Sequence, residues 1–276
     1  MPPINPTYLQ DIERRLAESK NRINYVFLTY GKTHKGLVRE KNEDALYFDE
    51  DNGLWVVADG IGGVKGGELA SATVVDHLRS FKQLENVSNS IRDLEARFLI
   101  ANSACRVIFE KQVIGSTVAV LFHYESLVVL LWAGDSRIYR MRDGELVLVT
   151  EDHNLAQERC RRGEVSQDAA QRLPSANVLT RAVGIHKDLR LETRVAEIAA
   201  GDRYLVSTDG LYKELTLETI RQMLSGPFND QMLQALIDEA LNRGGRDNIT
   251  GVVVDVGERL EHPRDVAADV LPIEPP

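Results

Sequence analysis

Cysteine is scarce: Cys105 and Cys160 are the only two in 276 residues. They lie far apart and outside any metal-type pair, which argues against a disulfide framework and a thiolate zinc site and leaves two reduced thiols. Long apolar runs are missing as well. None approaches the roughly 18 residues of a membrane span, and the start MPPINPTYLQDIERR lacks the basic-then-apolar layout of a secretory signal, so a cytoplasmic location is expected. Positive charge is in deficit. The 33 Lys and Arg face 42 Asp and Glu, a formal charge of -9, which argues against a nucleic-acid partner whose many phosphates must be neutralised. The six histidines, His34, His77, His123, His153, His186 and His262, show no HxxxH or HxH spacing, so zinc is disfavoured.

What is present suffices for one large domain, with 43% hydrophobic residues to fill its core. Residues 1–24 carry Leu9, Ile12 and Leu16 at helical spacing among charges and read as a helical extension. Strand patterns follow at 26–30 and 44–57, then a glycine-rich turn at 60–67 and a helix from Glu68 to Ser80. Ile91, Leu94, Phe98, Ala101, Cys105 and Ile108 recur at steps of three and four, a core-facing helix stripe in which Cys105 is a buried apolar residue rather than a nucleophile. Four short strands at 117–123, 126–133, 136–142 and 145–150, the last two joined by Asp143-Gly144, imply an antiparallel meander.

Residues 152–180 are polar, carry Arg159, Arg161 and Arg162, and lack a clean period, as in a surface flap. Strands resume near 190–196 and 203–208. Thr216 caps a helix ending near Gly226, Met232 to Asn242 forms another that Gly244 stops, and Ile249 to Val256 is the last strand. The proline-bearing tail 258–276 reads as flexible. Two blocks of strands interrupted by two sets of helices predict an α+β layered sandwich rather than a parallel doubly wound sheet.

Three segments run an apolar strand straight into Asp and a small residue: WVVADG (55–60), LLWAGDS (130–136) and YLVSTDG (204–210). RxxNED (39–44) and GGRDNIT (244–250) place Glu43, Asp44 and Asp247 beside further strand boundaries. One Asp-Gly is an ordinary turn; five acidic sites at strand edges form a constellation. If these carboxylates converge, repulsion raises their pKa values unless cations neutralise them. All-oxygen donors select Mg²⁺ or Mn²⁺. Two such ions about 3.5 to 4 Å apart suit in-line phosphate ester hydrolysis by a bridging water, and Arg39 is placed to hold phosphate oxygens in a bidentate clamp.

Other phosphate chemistries fail on particular residues. A C-x5-R loop would need Arg where Lys111 or Ser166 stands, and GIGGVKGGE satisfies neither the nucleotide P-loop nor the dinucleotide fingerprint.

The ordered set RxxNED, VADGxGG, GST, AGDSRIY, TEDH, LTRAVG, STDG and GGRDNIT, spanning roughly residues 26–256, resembles the metal-dependent, type 2C serine/threonine phosphatases of the bacterial branch. The resemblance implies a four-layer α-β-β-α sandwich, two antiparallel sheets flanked by helix pairs, with a binuclear Mn²⁺/Mg²⁺ centre at one sheet edge. It implies a catalytic domain over 25–257 with its flap at about 152–180. Asp59 would bridge both ions, Gly60 would give a carbonyl, Asp209 and Asp247 would complete one ion, and Glu43 would serve the other. Asp44 would orient metal-bound water and Arg39 would clamp phosphate. The implied activity is hydrolysis of phosphoserine and phosphothreonine on proteins, opposing a Ser/Thr kinase.

Two departures stand out. Ile61 replaces the histidine that many eukaryotic members carry after Asp-Gly, so metal-bound water is the expected source of the leaving-group proton. Lys213 stands where an acidic residue would help Asp135 hold a third ion, so any third site should be weak. A non-catalytic pseudophosphatase binding module and a different two-metal hydrolase such as a nuclease are the alternatives. Intact Asp59, Asp209 and Asp247 speak against the first, and the absence of a basic stripe against the second. Nothing in the sequence demands more than a monomer.

Overall fold

A computed structural model of the chain describes residues 11–14, 16, 18, 24–62, 66–108, 114–166, 169–170, 173 and 175–258. Its strands form two sheets in which every pairing is antiparallel. The first runs β1 (Tyr25–His34), β11 (Ile249–Glu258), β10 (Arg203–Ser207), β7 (Arg137–Arg142), β8 (Glu145–Leu148). The second runs β2 (Asp44–Asp49), β3 (Leu54–Ile61), β5 (Val118–Tyr124), β6 (Leu127–Ala133), β9 (Glu192–Glu197), with β4 (Gly115–Ser116) paired to the end of β3.

Strand periodicity explains the layering. In β3, Trp55 and Val57 point into a core shared with Val206, Val252 and Val254 of the other sheet. Their neighbours Val56 and Ala58 point the opposite way, onto Val74, Leu78, Leu94 and Phe98. Those four belong to helices α1 (Gly67–Leu78) and α2 (Val87–Ile108). The outer face of the first sheet is covered likewise, Leu205 and Val253 packing on Leu211, Ile220, Leu233 and Ile237. These come from α4 (Asp209–Tyr212), α5 (Leu217–Leu224) and α6 (Asp230–Asn242). The result is helix, sheet, sheet, helix. Strands buried on both faces read as continuous apolar runs such as Leu127–Ala133, which is buried throughout.

Caps set the helix limits. Thr216 Oγ1 accepts from Thr219 N at 3.1 Å and Asn229 Oδ1 from Met232 N at 3.1 Å, while Gly244 at φ 140 leaves the helical region and stops α6. Asp143 and Gly144 both take positive φ, the tight turn expected of that pair. Cys105 is fully buried beside Ala70 and Ile114, and burial pushes its thiol up to about 11, in keeping with an inert packing residue.

Three expectations need correction. The four central strands do not form one meander: β5 pairs with β6 and β7 with β8, but β6 and β7 lie in different sheets. The chain changes sheet at Gly134–Ser136, where Gly134 has φ 111; alternation reports which face a residue occupies, not which strand lies next to it. Ile108, placed on the core stripe, is 48% exposed, since burial of the stripe ends at Cys105 and residues 106–108 all lie exposed. The polar stretch after Asp152 holds a helix, α3 (Leu155–Arg161), capped by Asn154 Oδ1 accepting from Gln157 N at 2.9 Å. The isolated bridge Asn154↔Leu179 closes the base of this excursion.

Leu9, part of the glycine-rich turn (63–65) and the tail beyond Glu258 fall outside the described residues. Among the described residues no helix is long and apolar enough to cross a membrane.

The expected N-terminal helix is visible at Asp11–Arg14. Ile12 is buried in the cluster under α1 and α2, Leu16 packs against that cluster, and Glu13 Oε1 accepts from Ser88 N at 3.0 Å in the first turn of α2. Through Ile12, Glu13 and Leu16 the described part of the extension packs on the domain. Ile12→Ala is expected to lower the unfolding free energy by about 2 kcal/mol, read from urea titration, and an unchanged midpoint would show that the extension adds no stability.

Candidate functional site

Both sheets end their acidic strands at one edge. Asp59 lies near the end of β3 directly across from Asp44, which opens β2; Asp209 follows β10; Asp247 precedes β11; and Asp135 sits at the switch between sheets. Arg39, Glu43, Asp59, Gly60, Asp135, Asp209, Lys213 and Asp247 line one cleft, which Asn177 and Leu179 of the 152–180 excursion also border. The strand-edge carboxylates singled out in the sequence thus meet in space.

Neighbouring loops leave little room for backbone adjustment. A Cβ on Gly60 would stand 2.1 Å from Gly67 O and 2.7 Å from Glu43 O, so only glycine fits between the Glu43 backbone and the start of α1. Gly60 N donates to Glu43 O at 3.1 Å, as does Ser71 Oγ at 2.6 Å. Asp59 is held by the GST segment: Thr117 Oγ1 accepts from Asp59 N at 3.1 Å, and Ser116 Oγ donates to Asp59 O at 3.0 Å. Thr117 Oγ1 also bonds Ser136 Oγ at 2.6 Å, tying the strand carrying Asp59 to the loop carrying Asp135.

Asn248 is a residue that motif reading passed over. Its Oδ1 accepts from Glu43 N at 2.8 Å while its Nδ2 donates to Lys35 O and Lys41 O, each at 2.8 Å. One amide side chain thereby fixes both ends of the loop bearing Arg39 and positions Glu43. Thr208 was also missed; its Oγ1 donates to Asp44 Oδ2 at 2.8 Å and accepts from Thr250 N at 3.0 Å. Both lie inside quoted motifs, but nothing in their residue type distinguishes a side chain that bonds backbone from one that faces water.

Comparison with known proteins places this edge in context. The model of the family described as "Protein phosphatase 2C" matches residues 31–246. The chain belongs to the protein phosphatase 2C family. It is 33% identical over 239 residues to the serine/threonine protein phosphatase PstP of Mycobacterium tuberculosis, covering 85% of this chain and 46% of PstP. The chain thus spans about half the length of that curated relative. Among solved structures, "PppA, a key regulatory component of T6SS in Pseudomonas aeruginosa" is similar with a TM-score of 0.77 and 34% identity, over 84% of this chain and 100% of that one. The catalytic domain of PstP in complex with two manganese ions matches with a TM-score of 0.76 and 32% identity, over 85% and 100%.

The donors of this phosphatase 2C edge suit a hard divalent ion. All are oxygens, and the buried Asp44 Oδ1 and Asp209 Oδ1 have no hydrogen-bond partner. Burial, then Asp209, Asp44, Asp135 and Asp247, hold the Asp59 carboxyl well above its ordinary value. Burial and then Asp209 push Asp135 up to about 7, against the pull of Lys213. Among the described residues no group of three or more His, Cys, Asp or Glu side chains is close enough together to hold a metal ion as it stands.

Internal cations take up the slack instead. Arg39 Nη2 bonds Asp247 Oδ2 at 2.7 Å, and Lys213 Nζ bonds Asp209 Oδ2 and lies 4.0 Å from Asp135 Oδ2. Burial pulls the Lys213 ammonium down, but Asp209 and Asp135 outweigh it and hold its pKa above the ordinary lysine value. Metal ligation at Asp247 would release Arg39, and ligation at Asp209 would leave Lys213 to Asp135.

Burial pushes Asp44 up to about 7, with Thr250 and Thr208 opposing and Asp209 and Asp247 adding. Its proton is therefore held more tightly in the folded chain than in the unfolded one. The stability this contributes is fully present below the ordinary value of 3.8 and is lost as pH rises through about 7. In EDTA, wild type is expected to lose thermal stability relative to Asp44→Asn as pH rises from about 4 to about 7. Parallel Tm curves for the two proteins would refute the raised Asp44 value.

Proposed function

We propose that this chain is a protein serine/threonine phosphatase that hydrolyses phosphoserine and phosphothreonine on protein substrates and opposes a Ser/Thr kinase. One observation carries the reading: Glu43, Asp59, Asp135, Asp209, Asp247, the Gly60 backbone and Arg39 share a single cleft. Family membership and the manganese-bound relative support it.

Glu43, Asp59, Gly60, Asp209 and Asp247 would hold two Mn²⁺ or Mg²⁺ ions, with Asp59 common to both. Bound there, the ions would supply an activated water and neutralise charge in an in-line phosphoryl displacement. Arg39 binds the phosphate. Its side chain is 52% exposed and bonds Asp247 through one of its five N–H donors, so the guanidinium can present two others to non-bridging oxygens without leaving the cleft. Asp44 keeps Oδ2 on Thr208, and its Oδ1, which has no protein partner, would accept a hydrogen bond that orients the water. Ile61 has no proton to give, so the leaving alkoxide draws none from the residue after Asp59-Gly60. In this reading residues 25–257 are the catalytic domain, 152–180 its flap and 1–24 a helical extension.

p-Nitrophenyl phosphate and a phosphothreonine peptide are both expected to be hydrolysed with Mn²⁺ and neither with EDTA. Asp59→Asn should leave less than about a tenth of the wild-type rate, a loss exceeding ~1.4 kcal/mol of barrier, with an unchanged far-UV circular dichroism spectrum. Retention of more would remove Asp59 from its bridging role.

Lys213 competes with any third ion at Asp135. Calorimetric titration with Mn²⁺ is expected to show two tight sites in wild type and an additional one in Lys213→Asp. A third tight site in the wild-type protein would overturn this part of the reading.

A further inference from the structure

Loop 35–42, which presents Arg39 to the cleft, is held rigidly and yet exposes apolar surface. Asn248 pins it at Lys35 O and Lys41 O, and Leu37 N donates to Gly245 O at 2.7 Å. Gly36 takes φ 81, with the position of a Cβ only 2.1 Å from Asp247 O, so the entry to the loop tolerates no other residue. Against this framework Leu37 is 65% exposed and Val38 66% exposed. Single exposed aliphatics are ordinary on a protein surface. Here two are consecutive in a loop whose backbone is held at several points, immediately before the residue that would grip phosphate.

A rigid loop loses little conformational freedom when something docks on it, so the apolar contact is not offset by ordering. Exposed Lys35, Arg39 and Lys41 outnumber the one exposed acid of the loop, Glu40, a local excess of positive charge on a chain whose net charge is -9. That charge complements a phosphorylated, anionic segment. Adjacent Cα atoms lie about 3.8 Å apart and an extended substrate advances about 3.3 Å per residue, so Leu37 and Val38 would reach a side chain within roughly three positions of the phosphorylated one.

We propose that Leu37 and Val38 form a docking ledge for an aliphatic side chain of the phosphoprotein substrate, close in sequence to its phosphoserine or phosphothreonine, making them specificity-determining residues. The ledge rests on the phosphatase reading and deepens it by adding a substrate preference on the loop that carries Arg39 into the cleft. Neither residue touches the reacting atoms, and both are exposed, so their replacement spares the fold.

The test compares two phosphothreonine peptides, one with Leu or Ile at the flanking positions and one with Ser there, against p-nitrophenyl phosphate. Wild type is expected to favour the aliphatic peptide about tenfold in kcat/KM, of the order that burial of one aliphatic side chain supplies. The double variant Leu37→Ser, Val38→Ser should lose that preference while its p-nitrophenyl phosphate turnover stays within about twofold of wild type. Equal wild-type rates on both peptides, a preference that survives in the double variant, or a parallel fall on p-nitrophenyl phosphate would each overturn the ledge. No hydrolysis of any substrate by wild type would overturn the phosphatase reading and the ledge with it.

Discussion

Repulsion among buried carboxylates is the constraint around which the rest of this structure is arranged. Asp44 and Asp59 are direct cross-strand partners, a pairing that like charges ordinarily make unfavourable. Asp209, Asp247 and Asp135 add to the field that raises Asp59. A fold that places these groups together must either protonate them or surround them with positive charge. Here both occur: Asp44 and Asp135 are pushed up to about 7, and Arg39 and Lys213 reach across to Asp247 and Asp209. Electrostatic cost therefore sits at the same edge as the chemistry it would serve, as is common where function conflicts with stability.

The rest of the domain resists that repulsion by fixing backbone. Thr117, Ser116, Ser71 and Asn248 each spend side-chain polar atoms on main-chain groups flanking the acidic residues, so the carboxylates cannot drift apart by loop movement. Close approaches at Gly60 and Gly210, whose added Cβ atoms would stand 2.1 and 2.0 Å from carbonyl oxygens, interlock the strand ends from both sheets. Behind them, the doubly faced core of Trp55, Val57, Trp132 and Val206 supplies the burial that holds the two sheets in register.

What could be read from sequence divides along physical lines. Strands buried on both faces announce themselves as Leu127–Ala133 does, and acidic residues at their ends follow from the chain itself, so the layers and the cluster were legible. Sheet membership was not. β6 and β7 have the spacing of a hairpin, but Gly134 turns the chain to the other sheet, and a periodicity of two is silent on which partner a strand takes. Asn248 and Thr208 escaped notice for a related reason: their importance lies in contacts 205 and 164 residues away along the chain. Ile108 fails differently, since a helical stripe continues in sequence past Cys105, where its burial ends.

The two internal cations differ in a way that assigns them opposite roles. Arg39 rises from a loop, is 52% exposed and makes one bond to Asp247, so it can turn toward an incoming anion at the cost of a single exposed ion pair. Lys213 follows the last turn of α4, four residues after Asp209, and its ammonium is held between Asp209 and Asp135 with Tyr212 Oη fixed on Asp135 O at 2.8 Å. Displacing it would strand two buried carboxylates at once. A mobile cation on the open side and a fixed one at the back give the cleft a direction. In the proposed reading, anionic substrate would be drawn toward Arg39, while the Asp135 side would stay neutralised by the chain's own lysine.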